Sequence, residues 1–316
     1  KYMKEKMQIE VSVIIPIYNE QEIIPELYSR LQKSVSKISQ NYELIFVNDG
    51  SKDASIQELK KIANTDSHVL YINFSRNFGH QIAVTAGLHH ATGNAIVIID
   101  GDLQDPPELI PELYAKYKEG YKIVGAKRVS RKGETFFKKV TAKAYYRILK
   151  RITNVDIPVD TGDYRLIDRK VVQAILAMDE PDKYIRGQVA WTGFKTTFVN
   201  FERDERRFGT TGYSLKKMTK FAIDGITSFS SYPLKLASIF GFIVSGFAFC
   251  MVVYVLLSKY VFQTAVEGWP SLMLTILFLG GVQLICLGII GEYLWRIMNT
   301  VRNRPLYIIE ETNIES

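Results

Sequence analysis

The sequence predicts an α/β fold built on a mostly parallel, doubly wound sheet, followed by an apolar C-terminal region. Three observations predict it. Short β-branched runs alternate with helical patterns from Val11 to Ala126, the spacing of parallel strands joined by crossover helices. Each run stops at a polar turn, as strands do at the ligand edge of an open sheet. Beyond Leu236 the chain turns to long stretches free of charge, the kind that crosses a hydrocarbon core of about 30 Å.

The first strand is VSVIIPI, residues 11–17, closed by Tyr18-Asn19-Glu20 and followed by a helical pattern to about residue 37. Residues 43–47 make the second, ending in Asn48-Asp49-Gly50-Ser51; the next helix opens with an acidic first turn. Residues 69–74 are the third strand, followed by Ser75-Arg76-Asn77-Phe78-Gly79-His80 and a small-residue helix to about residue 91. Residues 96–99 are the fourth, ending in Asp100-Gly101-Asp102, and Pro106 and Pro107 open the helix after it. Residues 121–126 form the fifth strand. Residues 160–166 then lead into a helix, Arg186-Gly187-Gln188 lies in another helical stretch, and residues 196–203 read as a late strand.

The D-G-D turn draws the most attention. Side chains two apart on an extended chain point the same way, so the carboxylates of Asp100 and Asp102 converge beyond the strand end. They repel unless something positive joins them, and an oxygen-preferring divalent cation carrying a diphosphate meets that need. D-G-D alone also reads as a surface turn.

Net charge is +7 over 316 residues, which suits anionic lipid, phosphorylated substrates or nucleic acid. Its distribution narrows the choice. Lys127, Arg128, Arg131, Lys132, Lys138, Lys139 and Lys143 crowd one segment with little aromatic interleaving beyond pairs such as Tyr145-Tyr146, so nucleic acid is the least favoured partner. Residues 214–230 place Leu215, Met218, Ala222, Ile226 and Phe229 opposite Lys216, Lys217 and Lys220, a basic amphipathic helix suited to a membrane interface. Two uncharged runs follow, with spans expected at about 236–257 and 270–292. Lysines and arginines on the outer flanks orient such a hairpin with both ends in the cytoplasm. The only two cysteines, Cys250 and Cys286, fall in these runs, so no disulfide framework is expected. Nothing in KYMKEKMQIE resembles a signal peptide. The expected organisation is a catalytic domain over 1–210, a juxtamembrane helix over 211–233, a hairpin over 234–295 and a cytoplasmic tail over 296–316.

Pro16-x-Tyr18-Asn19-Glu20, Asn48-Asp49-Gly50-Ser51, S-R-N-F-G-H-Q (residues 75–81) and D-G-D-L-Q-D-P-P-E (residues 100–108) together resemble the family 2 glycosyltransferases of the GT-A fold. The sequence is most similar to the polyprenyl-phosphate branch, which includes dolichyl-phosphate mannose synthases and the bacterial bactoprenol glucosyltransferases of O-antigen modification. The resemblance implies a nucleotide-sugar site at Pro16, Tyr18, Glu20, Asp49, Asp100 and Gly101, with Asp49 reading the base. The family often has two Asp where this chain has Asn48 then Asp49. It implies Mg²⁺ or Mn²⁺ held by Asp100, Asp102 and Gln104, and a diphosphate contact from Arg206 or Arg207, with Gly212 where a Lys is usual. Lys127 or Arg128, with Arg131 and Lys138, would receive the lipid phosphate. Asp102 and Asp163 would be the catalytic carboxylates, Asp163 as a base or as an orienter.

The reaction expected from the resemblance is inverting hexose transfer to undecaprenyl phosphate at the inner membrane, by a homo-oligomer, a tetramer by family likeness. UDP-glucose is the preferred donor and GDP-mannose the alternative. A non-catalytic scaffold binding nucleotide sugar or lipid is the contrasting reading, and intact Asp100, Asp102 and Gln104 count against it. A processive synthase is a further enzyme reading, but this sequence has no Q-x-x-R-W, and two spans make a poor translocation channel. His89-His90, adjacent on a helix, cannot share one metal; His80, nearer the ligand edge, is a candidate phosphate contact.

Overall fold

The computed structural model describes residues 9–128, 161–178, 180, 183–202, scattered positions between 234 and 261, 268–302 and 304–314. Two compact units emerge: residues 1–214 with 304–316, and residues 215–303.

The first unit carries one sheet of eight strands: β1 (Val11–Ile17), β2 (Tyr42–Asn48), β3 (Val69–Phe74), β4 (Ala95–Ile98), β5 (Ile123–Arg128), β6 (Thr161–Asp168), β7 (Thr196–Phe201) and β8 (Ile309–Thr312). Its helices are α1 (Ile24–Val35), α2 (Ser55–Ala63), α3 (His80–His90), α4 (Ile110–Lys118), α5 (Arg169–Leu176) and α6 (Ile185–Trp191). In space the strands run β7-β5-β6-β4-β1-β2-β3-β8. β3, β2, β1 and β4 are mutually parallel, the Rossmann-like half expected from the alternation.

Strand β1 shows why the sequence folds this way. Val11, Val13, Ile15 and Ile17 join a core with Leu27 and Leu31 of α1 and Leu113 of α4. Ile14 joins the opposite core with Ala83 and Val84 of α3 and Val171 and Val172 of α5. Both faces are covered, as a parallel central strand requires.

Two strands lie outside the expectation. Residues 161–168, read as a lead-in to a helix, form β6, antiparallel to β4 and β5 and inserted between them. Residues 309–312, read as part of a tail, form β8, antiparallel to β3 at the sheet edge.

In the second unit α7 (Trp269–Val301) is a helix of 33 residues. It contains the stretch Phe278–Val301, long and apolar enough to cross a membrane, and none of that stretch is buried. The expected amphipathic helix at 214–230 lies outside the described residues, and of the expected first span only scattered positions are described.

Candidate active site

In the parallel half, β1 has β2 on one side and β4 on the other. That reversal of strand order is where open α/β sheets receive ligands. Asp100, Gly101 and Asp102 follow β4 at this point. A Cβ on Gly101 would lie 2.9 Å from the Pro16 carbonyl oxygen and 2.6 Å from Ile17 Cδ1, so only glycine lets the turn close over the end of β1. Leu103 has φ 56, costly for a branched side chain, and is held there by burial in the core. The Gln104 N–H donates to Asp102 Oδ1 at 3.2 Å.

Beside Asp100 sits an ionic cluster assembled from three elements. Asp163 comes from β6, His80 from the first turn of α3 and Arg186 from the first turn of α6. Arg186 grips Asp163 with two hydrogen bonds, Nε to Oδ1 at 2.7 Å and Nη2 to Oδ2 at 3.1 Å. His80 Nε2 stands 3.4 Å from Asp163 Oδ2 and 3.5 Å from Asp100 Oδ1. Gln81 accepts the Ile185 N–H at 3.0 Å and reaches Asp163 Oδ2 at 3.4 Å, tying α3 to α6. Arg165, two residues on, donates to the Gly162 and Asp163 carbonyls.

These contacts sort the protonation states. Burial alone would raise Asp163, but the charge of Arg186 and the bonds from His80 and Arg186 hold it well below the usual carboxylate range. His80 is lowered by burial, yet its bond to Asp163 and the charges of Asp100 and Asp163 raise it to about 9. Asp100 is pushed up by burial; His80 opposes the shift, and Asp163 and Asp102 add to it. Its Oδ1 is buried and has no hydrogen-bond partner among the described residues.

That oxygen, in no hydrogen bond among the described residues and 3.5 Å from the His80 ring nitrogen, is the test of whether a cation fits. Asp100 and Asp102 supply hard oxygen donors, which suit Mg²⁺ or Mn²⁺. Among the described residues no three His, Cys, Asp or Glu side chains form a cage. The remaining ligands would therefore be amide, water and diphosphate oxygens, the usual mode for Mg²⁺.

Of the other expected residues, Asp49 is buried, and its carboxylate accepts the N–H groups of Phe78 (2.7 Å) and Gly79 (3.0 Å) and the side chain of Asn77 (2.9 Å). It thus shapes the loop that delivers His80. Gly50, with φ 63, passes so close to Arg76 that a Cβ would lie 2.3 Å from its carbonyl carbon. Tyr18 is exposed at the end of β1, and the Glu20 N–H donates to Ser55 Oγ at 3.1 Å. Lys127 is exposed. Arg128 crosses Gly162 and pairs with the buried Asp105 at 3.5 Å. Arg131, Lys138, Arg206 and Arg207 lie outside the described residues. From the sequence Asp163 is expected at the site and His80 as a phosphate contact, whereas Arg186 is placed only in a helical stretch. The one signal for His80 was its place in the loop at the ligand edge.

A Rossmann-like parallel half, a carboxylate turn at its switch point and an antiparallel strand inserted beside it define the class: a GT-A glycosyltransferase. The chain belongs to glycosyl transferase family 2, which residues 12–176 match. It is 52% identical over 304 residues to an uncharacterized glycosyltransferase, YkcC, of Bacillus subtilis (strain 168), covering 96% of this chain and 94% of that one. It is 39% identical over 305 residues to a bactoprenol glucosyl transferase of Shigella phage SfII, covering 96% and 99%. The crystal structure of a mycobacterial protein, 17% identical, matches 70% of this chain and 75% of that one with a TM-score of 0.50, a likeness of fold.

Proposed function

We propose that this glycosyltransferase transfers a hexose, glucose from UDP-glucose by preference, to the phosphate of undecaprenyl phosphate with inversion at the anomeric carbon. The observation that carries the reading is the buried Asp100 oxygen without a hydrogen-bond partner, beside Asp102 at the switch point. Relatives named for bactoprenol glucosyl transfer, similar over nearly the whole chain, support the acceptor.

Asp100, Asp102 and Gln104 would hold Mg²⁺ or Mn²⁺. Bound there, the cation neutralises charge on the departing nucleoside diphosphate. The acceptor phosphate is ionised at neutral pH, so its oxygen can attack the anomeric carbon as the sugar–diphosphate bond breaks, with no strong base required. Asp163, held as a carboxylate by Arg186, fits the orienter's role: it fixes the guanidinium and the His80 ring toward the reacting groups. Pro16, Tyr18, Glu20, Asp49 and Gly101 would line the donor side, with Arg206 or Arg207 over the diphosphate. Lys127 or Arg128, with Arg131 and Lys138, would meet the lipid phosphate.

A membrane location fits the chain path. Strand β8 follows α7 in sequence and pairs with β3, so the chain leaves the catalytic unit and returns to it. This path supports paired crossings between residues 215 and 303. Phe278–Val301 offers one span, and residues 236–257 are the segment for the second. Lysines and arginines on the outer flanks then place the catalytic unit in the cytoplasm. A homo-oligomer, a tetramer by likeness to the family, is part of the proposal.

Incubating the purified protein with Mg²⁺, undecaprenyl phosphate and radiolabelled UDP-glucose or GDP-mannose tests this. Label entering the organic phase from UDP-glucose is the expected result. Label from GDP-mannose alone replaces the donor, and none from either leaves a binding scaffold.

A further inference from the structure

The polar groups along the donor edge form a line that ends in the C-terminal strand. Ser51 Oγ accepts the Asn19 N–H at 2.9 Å and donates to Asn48 Oδ1. Asn48 Nδ2 donates to Asn73 Oδ1 at 2.7 Å, and Asn73 Nδ2 donates to Glu310 Oε2 at 3.1 Å. Asn19, Ser51 and Asn73 lie at or just past the ends of β1, β2 and β3, beside Tyr18, Glu20 and Asp49.

Direction matters in such a line. A primary amide can turn over and exchange its oxygen with its nitrogen, so two amides in series can point either way. An ionised glutamate only accepts. Asn73 must therefore give Glu310 its amino group, which turns its oxygen toward Asn48. Asn48 then gives its amino group to Asn73 and its oxygen to the Ser51 proton, leaving a Ser51 lone pair for the Asn19 N–H. Asn48 and Asn73 are 1% and 8% exposed, so a reversed link would leave two like groups face to face without water. Asn48 stands where the family often has Asp, and Asp has no N–H to give.

The backbone also singles out Glu310. β3 advances one residue, from Asn73 to Phe74, while its partner steps from Glu311 to Ile309. Glu310 is the extra residue of a bulge, a device that re-aims a side chain.

We infer that Glu310 is a positioning residue for the nucleotide donor: through Asn73, Asn48 and Ser51 it sets the pose of the 18–20 turn. This rests on the donor site proposed above. The test titrates the full-length protein with UDP and with GDP in Mg²⁺ and measures KM for donor and acceptor. Glu310→Ala should weaken nucleotide binding and raise donor KM about fivefold, the net effect of roughly one hydrogen bond. Turnover and acceptor KM should stay unchanged. Glu310→Gln, whose amide oxygen can still accept from Asn73 but whose amide can also turn over, should restore binding only in part. Glu311→Ala removes the Lys60 ion pair and the Tyr71 hydroxyl contact from the same strand; it should lower Tm and leave nucleotide affinity alone. Unchanged nucleotide affinity in Glu310→Ala overturns the inference, as does equal weakening by Glu311→Ala. A folded wild type that binds neither UDP nor GDP removes the donor site itself, and the inference with it.

Discussion

At the scale of the residue, the decisive pair is Asp163 and Arg186. A carboxylate held low by a two-pronged guanidinium is a weak proton acceptor, which favours the proposed orienting role over that of a base. Asp163→Asn and Arg186→Lys should each lower turnover about ten- to a hundredfold, the range for losing a charge-assisted hydrogen bond. The double variant should be little worse than either, because both break one link. If Asp163→Asn alone removes turnover while Arg186→Lys is mild, Asp163 is a base after all. In the proposed reading Asp102 is a ligand of the cation. Asp102→Ala should reduce turnover more than about a hundredfold, since bound-metal stabilisation amounts to several kcal/mol. Near wild-type rates would exclude Asp102 as a ligand.

At the scale of the element, the D-G-D turn works because β4 delivers it against the end of β1 without a side chain between them. Gly101→Ala forces a methyl toward the Pro16 carbonyl, at 2.9 Å. It should destabilise the domain by about 1–3 kcal/mol, as overpacking does, and displace both carboxylates. Denaturant melting together with turnover measures both effects, and an unshifted midpoint would show that the turn has room. The same scale explains what the sequence hid. β1, β2, β3 and β4 announce themselves because burial on both faces demands unbroken apolar runs. β6 does not, since T-G-D-Y-R-L-I-D carries Asp163, Arg165 and Asp168, all buried. Their charges are answered by Arg186, the Gly162 carbonyl and Lys122, partners that only the tertiary fold supplies. β8 is short and polar, and its anchors, Lys60, Tyr71 and Asn73, lie more than two hundred positions upstream. The acidic half of the site could be read because Asp100 and Asp102 are neighbours in sequence. The cationic half could not, because His80, Arg165 and Arg186 meet only across three elements.

At the scale of the whole molecule, stability against alkali follows in part from buried phenols, among them two on α1 and α4. Tyr28 is pushed up to about 12 by burial and by its 2.8 Å bond to Asp66. Tyr117 is pushed up to about 12 by burial and by the charge of Asp168. Both are neutral in the folded chain where the unfolded chain, with tyrosine near its ordinary 10.0, has begun to ionise. Their contribution is complete below pH about 10 and is lost as pH climbs from about 10 toward 12. Tm should therefore hold level to about pH 10 and then fall. Tyr28→Phe with Tyr117→Phe should begin lower, by roughly 1 kcal/mol for the lost Asp66 bond, and fall less steeply. Lys118, raised by its bonds to Tyr114 and Glu10, leaves a residual slope, because its contribution is also lost only as the solution becomes strongly alkaline. A double variant whose alkaline limb runs parallel to the wild type would show that these phenols ionise alike in the folded and unfolded chain.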